Sequence, residues 1–369
     1  MKPTKMVCFL FLAVVFAMVW CLVPQTFAAE KTWKLRGQSA WGKGFEFYDA
    51  GKKMTQLVDK YTGGKVKLQL HSAGELCPPM EEYDAVGRHA IDFASGCPCY
   101  ALPKSYALSL YCDSPASQSA TEKIAWMYYG GGLEILQDLF MKHYKIKAFP
   151  YTVQTSELWI YSNKEINTLD DVRGLKMRAA GTRADVMKYI GGSMVVLPGS
   201  EILPAMQRGV IDAFEASNIT IGEKTGFFKV AKYLYFNPGK TAHTILIFGI
   251  NPDVWNQFPK KIQQEIEMAI KDNVYRSLTW NRIADLMAMK RAVEKNGCEL
   301  KMLPEQVMVE FNQLSDKFYQ EKAAKDPEMA RLLDSWNKFG EDYGAYAKYV
   351  DHLDKTDGLF GQKTPYKKQ

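Results

Sequence analysis

Signatures of catalysis are missing from this chain of 369 residues. It has no Gly-x-Ser-x-Gly elbow, no phosphate-binding loop ending in Gly-Lys-Ser/Thr, no His-Glu-x-x-His and no Gly-x-Gly-x-x-Gly after a strand. Its five histidines (His71, His89, His143, His243, His352) show no metal-ligand spacing. Charge of one sign is lacking as well. The 47 basic and 41 acidic residues leave +6 without a Lys/Arg-rich block, which argues against a nucleic-acid partner. Beyond the N-terminus there is no apolar run long enough to cross a membrane. With 47% hydrophobic and 24% charged residues, the composition excludes a disordered tail or a fibre.

What is present begins with Lys2 and Lys5, an apolar run from Met6 to Val23, and the small-residue cleavage signal Thr26-Phe27-Ala28. Residues 1–28 read as a cleaved signal peptide and the mature protein as exported. At roughly 150 residues per domain, the remaining length allows about two domains with a core that needs no disulfide staples. Five cysteines follow the signal: Cys77, Cys97, Cys99, Cys112 and Cys298. Cys97-Pro98-Cys99 is half of a metal clip without a second Cys/His pair at zinc spacing. Either Cys97 pairs with Cys112 or Cys77, or all five stay reduced as small apolar residues.

Residues 65–71 alternate at period two, as do the ends of 146–153 and 158–162, and Thr244 to Ile250 is continuously apolar; these read as strands. Helical spacing covers 45–61, 121–143, 182–190 and 200–208, with Gly63-Gly64 and Gly191-Gly192 as stops. Gly130-Gly131-Gly132 falls inside one of these stretches and reads as a close-packing site. After Pro259 the pattern is helical except for a strand at 298–303. The alternation predicts an α/β fold with largely parallel sheets. One internal echo stands out: Pro78, Glu81, Ala85, Arg88, Ile91 and Asp92 recur 120 residues later as Pro198, Glu201, Ala205, Arg208, Ile211 and Asp212. Each copy reads as helix, turn and short strand, so two similar lobes would meet at a cleft beyond their strand ends.

The stretch Val172 to Asn218 resembles the solute-binding subunits of tripartite ATP-independent periplasmic (TRAP) transporters. The resemblance rests on Gly174-Leu175-Lys176-Met177-Arg178, the Gly191-Gly192 stop, Pro198 to Glu201, and Gln207 to Asp212. It extends over about 33–305. Gln38 to Trp41 and Tyr128 to Glu134 are similar to the branch that takes α-keto acids and related monocarboxylates. This resemblance implies a two-lobed, Venus-flytrap binding protein that captures a small organic acid and passes it to membrane permease subunits. The implied division is 29–152 plus about 243–285 for lobe I, and 153–242 plus about 286–369 for lobe II. Hinge strands near 149–154 and 242–247 and a long helix after Pro259 would span both.

Arg178 matches the family's arginine for the ligand carboxylate, and a guanidinium suits that anion because it presents two parallel N–H donors. Gln154 and Glu215 match metal-ligand positions of the keto-acid branch, where oxygen donors hold Na⁺ or Ca²⁺; His243 lies near a third. No other cofactor is required. Capping of the helix after Asn218 is the alternative role for Glu215, and Asn218 itself stands among the ligand-side residues. Trp41 and Tyr100 are the expected aromatic walls. The helical tail 305–349 either pairs two subunits as a homodimer or folds back on its own chain. A receptor that binds without turnover is the primary reading; a secreted enzyme or sensory module of the same fold is the alternative.

Overall fold

The computed structural model describes residues 31–112, 119–154, 157–179, 181–195, 197, 201–236 and 243–347. The expected signal peptide, Pro198 and the hinge residue Ala242 lie outside the described residues. Elements are numbered in chain order. One sheet contains β1 (Trp33–Ser39), β2 (Val66–His71), β3 (Phe93–Gly96), β4 (Lys147–Val153) and β10 (Ile245–Ile250), in the order β2-β1-β3-β10-β4. The other contains β5 (Ile160–Ser162), β6 (Lys176–Arg178), β7 (Ser193–Val195), β8 (Ala213–Phe214), β9 (Tyr233–Phe236) and β11 (Glu299–Met302), in the order β11-β9-β5-β8-β6-β7.

The sheets are mixed, where the sequence had suggested largely parallel ones. In the first, β10 runs antiparallel to both β3 and β4; in the second, β5 runs antiparallel to both β8 and β9. Both strands follow a change of sheet: the chain leaves the first sheet after β4 and enters the second as β5, then leaves it after β9 and returns as β10, whereas β11, which arrives after the long helix, runs parallel to β9. All six residues of β10 are buried, which is why its sequence is continuously apolar rather than alternating.

A 37-residue helix, Lys260–Asn296 (α10), provides the third link. At 1.5 Å per residue it is about 55 Å long. Its middle serves the first sheet: Asn273 Nδ2 donates to Tyr151 O (2.7 Å), Asn281 Nδ2 donates to Val153 O (3.1 Å), and Ser277 Oγ accepts from Val153 N (3.2 Å). Its later turns serve the second half, where Asp285 Oδ1 accepts from Thr220 N (3.2 Å) and Arg291 Nη2 donates to Glu223 Oε2 (2.7 Å).

The helix expected over 121–143 is two helices, α3 (Ala120–Tyr129) and α4 (Gly132–Tyr144). Gly131 breaks it with φ +90°, a conformation costly for any side chain. The close packing expected of the glycine triplet is present: a Cβ on Gly130 would come within 2.7 Å of Phe339, and one on Gly132 within 2.8 Å of Trp126. Phe339 belongs to the last helix, α12 (Pro327–Ala347), which follows α11 (Glu305–Ala323). That helix folds back on its own chain. Its Trp336 ring meets Trp126 at 4.7 Å between centroids, and Ser335 Oγ accepts from Trp126 Nε1 (3.1 Å) while donating to Gly130 O (2.8 Å). Glu328 receives Ser105, Lys142 and His143.

The 120-residue echo is built into the hydrogen bonding. Helix α2 (Glu82–Gly87) has its counterpart in α7 (Ile202–Gln207). Each ends in a left-handed residue, His89 (φ 57°) or Gly209 (φ 68°). The next amide turns back to the helix, Ala90 N to Ala85 O (2.8 Å) and Val210 N to Ala205 O (2.9 Å). Asp92 and Asp212 then do the same task. Asp92 N donates to Arg36 O and its carboxylate accepts from Arg36 N; Asp212 pairs likewise with Lys176. The strands start two residues later than the apolar pattern from Ile91 and Ile211 suggested, at Phe93 and Ala213, each parallel to its neighbour, β1 or β6.

Candidate functional site

The strand ends β3, β6 and β8 position the expected ligand-side residues. Arg178 is the last residue of β6 and half-buried. Its Nε donates to Leu197 O (3.2 Å) and its Nη1 to Glu215 O (2.8 Å), while Arg178 O accepts from Glu215 N (2.9 Å). Two backbone carbonyls thus fix the plane of the guanidinium before any ligand arrives, which lowers the entropy cost of using it.

Glu215 follows β8, and its side chain does not cap a helix. The cap of α8 (Ile219–Lys224) is Asn218, whose Oδ1 accepts from Ile221 N (3.1 Å), which corrects the capping alternative for Glu215. The Glu215 carboxylate instead meets Arg183, on α6 (Gly181–Tyr189), at 3.2 Å; Arg183 Nη2 also donates to Glu157 Oε2 (3.1 Å), and all three are buried. Glu157 Oε1 accepts from Thr244 Oγ1 (3.0 Å), a residue directly before β10. Gln154 completes the chain. Its amide nitrogen donates to Glu157 Oε1 (3.0 Å) and its amide oxygen accepts from Asn218 N (3.2 Å) and from the Ser217 hydroxyl. Ser217 is held at φ +57°, an uncommon conformation outside glycine.

The structure therefore joins Gln154 to Glu215 through Glu157 and Arg183. Neither connecting residue was singled out from sequence. Glu157 falls three residues after Gln154 in a loop and Arg183 five after Arg178 in a helix, and only the tertiary fold brings them together. The Glu215 and Glu157 carboxylates thus share the Arg183 guanidinium, so buried charge here is paired rather than isolated.

His243 lies against this network from the β10 side, its Nδ1 3.3 Å from Gln154 O. Burial and the nearby Lys123 push its pKa down to about 4, so the ring is neutral at neutral pH and keeps a nitrogen lone pair.

On the other half, Trp41 follows β1 and Tyr100 follows β3. Their rings are 6.1 Å apart, and Trp41 also meets Phe47 edge-on at 4.8 Å. Burial raises the Tyr100 phenol pKa above its usual value, with the Cys97 thiol adding to the effect, while the positive charge of Arg178 acts in the opposite direction. The aromatic pair and the anchor thus come from different sheets. A cavity of about 270 Å³ opens between the segment 42–46 and helix α8, with Lys43, Phe45, Glu46 and Lys224 in its lining. Burial, reinforced by Asp285, pushes the Glu46 carboxyl up to about 7, offset in part by Lys224, Asn218 and Lys53.

Cysteine pairing differs from both sequence options, because Cys99 bonds to Cys112. The turn at Pro98 brings Cys97 and Cys99 to the same partner, a choice that spacing alone does not make. Cys77 lies elsewhere, its backbone carbonyl accepting from Gln38 Nε2 (3.0 Å).

Residues 38–326 match the family model described as bacterial extracellular solute-binding protein, family 7. A monocarboxylate 2-oxoacid-binding periplasmic protein of Nostoc sp. is 28% identical over 314 residues, covering 82% of this chain and 83% of that one. Two crystal structures of TRAP solute-binding proteins superpose closely. That from Pseudoalteromonas atlantica, with bound sodium and pyruvate, is 27% identical with a TM-score of 0.80, covering 88% of this chain and 99% of that chain. That from Bordetella bronchiseptica, a mixed-occupancy dimer with copurified calcium and picolinate, is 26% identical with a TM-score of 0.81, covering 88% and 97%. With its two mixed sheets, its long linking helix and a family match over most of its length, the chain belongs to bacterial extracellular solute-binding protein family 7 and has the two-lobed α/β fold of TRAP solute-binding proteins.

Proposed function

We propose that this protein is the periplasmic receptor of a TRAP transporter, taking a small 2-oxo or related monocarboxylate together with Na⁺ or Ca²⁺ and delivering it to membrane permease subunits. The observation that carries this reading is the Arg178 guanidinium, fixed by Leu197 O and Glu215 O at the end of β6, with the Trp41–Tyr100 pair supplied by the other sheet. Arg178 takes the ligand carboxylate, and the aromatic pair covers its apolar part. Gln154 and Glu215 supply hard oxygen donors to the cation, with His243 behind Gln154 and Asn218 beside it. The relative from Nostoc, named for 2-oxoacid binding, and the neighbours holding pyruvate with sodium or picolinate with calcium support this ligand class. The protein acts by binding and release, not by turnover. Lobe I corresponds to 29–152 plus about 243–285 and lobe II to 153–242 plus about 286 onward, with α12 reaching back onto lobe I.

The test is thermal stability of the mature protein with pyruvate and other mono- and dicarboxylates, with Na⁺, Ca²⁺ or chelator, in wild type and Arg178→Ala. A ligand at a hundred times its dissociation constant adds about 2.7 kcal/mol, a rise of roughly 4 °C for a body of this size. A rise with 2-oxo acids that needs the cation and disappears in Arg178→Ala is the expected result. An equal rise in the variant, or none with any carboxylate, overturns the assignment of the anchor and the ligand class.

A further inference from the structure

Behind the aromatic wall, three sulfur atoms converge. Cys97 and Cys99 flank Pro98 at the start of a 3-10 turn (Pro98–Ala101), and Cys112 closes another (Ala107–Tyr111). The three Sγ atoms lie within 4.8 Å of one another, Cys97 Sγ being 3.2 Å from Cys112 Sγ, and Cys99 N donates to Cys112 Sγ (3.0 Å). Cys97 and Cys112 are buried and Cys99 is partly so. The sequence offered only half of a metal clip. The fold supplies the missing ligand from the far end of the same loop, and Tyr100 of the ligand wall sits between the first two cysteines and the third.

We propose that the reduced form of this cluster is a binding site for a thiophilic closed-shell ion, copper(I) in the first instance. Soft thiolates select such ions over the hard cations suited to Gln154 and Glu215. With metal–sulfur bonds of about 2.3 Å, three sulfurs around one ion lie about 4.0 Å apart, within the span already present. Copper(I) is satisfied by three sulfurs, whereas structural zinc takes four ligands; among the described residues no histidine or carboxylate joins the three cysteines. The Cys99–Cys112 bridge is then the oxidised, ion-free form. A dithiol reductant opens it by exchange, giving up two electrons and two protons to form two protein thiols while becoming a disulfide itself. Copper(I) then replaces thiol protons, which pass to solvent. Because the turn that holds Cys99 also carries Tyr100, the occupied site reports to the Trp41–Tyr100 pair.

The experiment is anaerobic titration of the phosphine-reduced mature protein with copper(I) supplied against a competing chelator, read by near-ultraviolet sulfur-to-metal absorption and by metal analysis after desalting. One equivalent is expected, with affinity falling at least about 100-fold in each of Cys97→Ser, Cys99→Ser and Cys112→Ser and unchanged in Cys77→Ser and Cys298→Ser. Circular dichroism of each reduced variant identifies those that remain folded. Since Cys97 is outside the bridge, Cys97→Ser provides the decisive comparison in a protein that retains its disulfide when oxidised. Full copper binding by folded Cys97→Ser, or no more binding by wild type than by the triple serine variant, overturns the proposal.

Discussion

Replacing Glu46 with glutamine should stabilise the protein only where the wild-type carboxylate is forced to ionise. Glu46 opens α1 (Glu46–Tyr61), buried beside Asn218 and Asp285, and its pKa is raised from 4.5 to about 7. A raised carboxyl means that the folded state holds its proton more tightly than the unfolded chain, so stability is lost as pH rises from about 4.5 through 7. At about 1.36 kcal/mol per pH unit, holding the ionised group in the fold costs about 3 kcal/mol above pH 7. Glu46→Gln keeps the shape without the charge. It should therefore match wild type near pH 4 and exceed it by about 3 kcal/mol at pH 8, roughly 5 °C in melting temperature. Urea unfolding at intervals from pH 4 to 8 measures this difference directly, and Glu82, also pushed up to about 7 by burial, cancels because it is present in both proteins. A difference that stays constant across the range would refute the reasoning, since it would mean that Glu46 is as well solvated folded as unfolded.

Two other ionisable groups predict slopes of opposite sign. His243, depressed to about 4, must be charged against burial in acid, so wild type should lose up to about 3 kcal/mol as pH falls from 6.5 toward 4, and His243→Gln should lack that part of the slope in a paired titration. Burial opposes ionisation of Glu328, but hydrogen bonds from Lys142, Ser105 and His143 hold its pKa at about 2. Its contribution is present above pH 4.5 and lost as pH falls toward 2. Because the group is partly exposed, Glu328→Gln should cost about 1–2 kcal/mol at pH 7, with faster proteolysis or hydrogen exchange confined to α12 and the helices beneath it.

Much of the framework was legible because local chemistry and tertiary role agree. The apolar run of β10, the period-two β2 and the helix over 45–61 appear where the pattern placed them, within one or two residues. The echo at a spacing of 120 residues was visible because Asp92 and Asp212 perform the same backbone pairing in both halves. Strand direction was not legible. A run such as Ile160–Ser162 has the same composition whichever way it points, and its direction is set by its pairing with β8 and β9. The candidate site divides in the same way. Arg178 was singled out because a stretch of motif surrounds it, whereas the contacts of Glu157, Arg183 and Glu46 come from residues distant in sequence. The choice of Cys99 over Cys97 as the partner of Cys112 depends on how a turn of three residues is wound, which spacing does not encode.

The paired helix–turn–strand units have an evolutionary consequence. Each carries its chain to the end of a strand, but what is hung after each strand differs: Glu215 and Asn218 follow β8, while cysteines and Tyr100 follow β3. Among the described residues, the carbonyls that hold Arg178 come from the segments after β7 and β8. Substitutions in the segment after β3 can therefore reshape the apolar face offered to a ligand while leaving the carboxylate anchor in place. Duplicated architecture with separately mutable linings allows one scaffold to explore new cargo without first surrendering its grip on the acid.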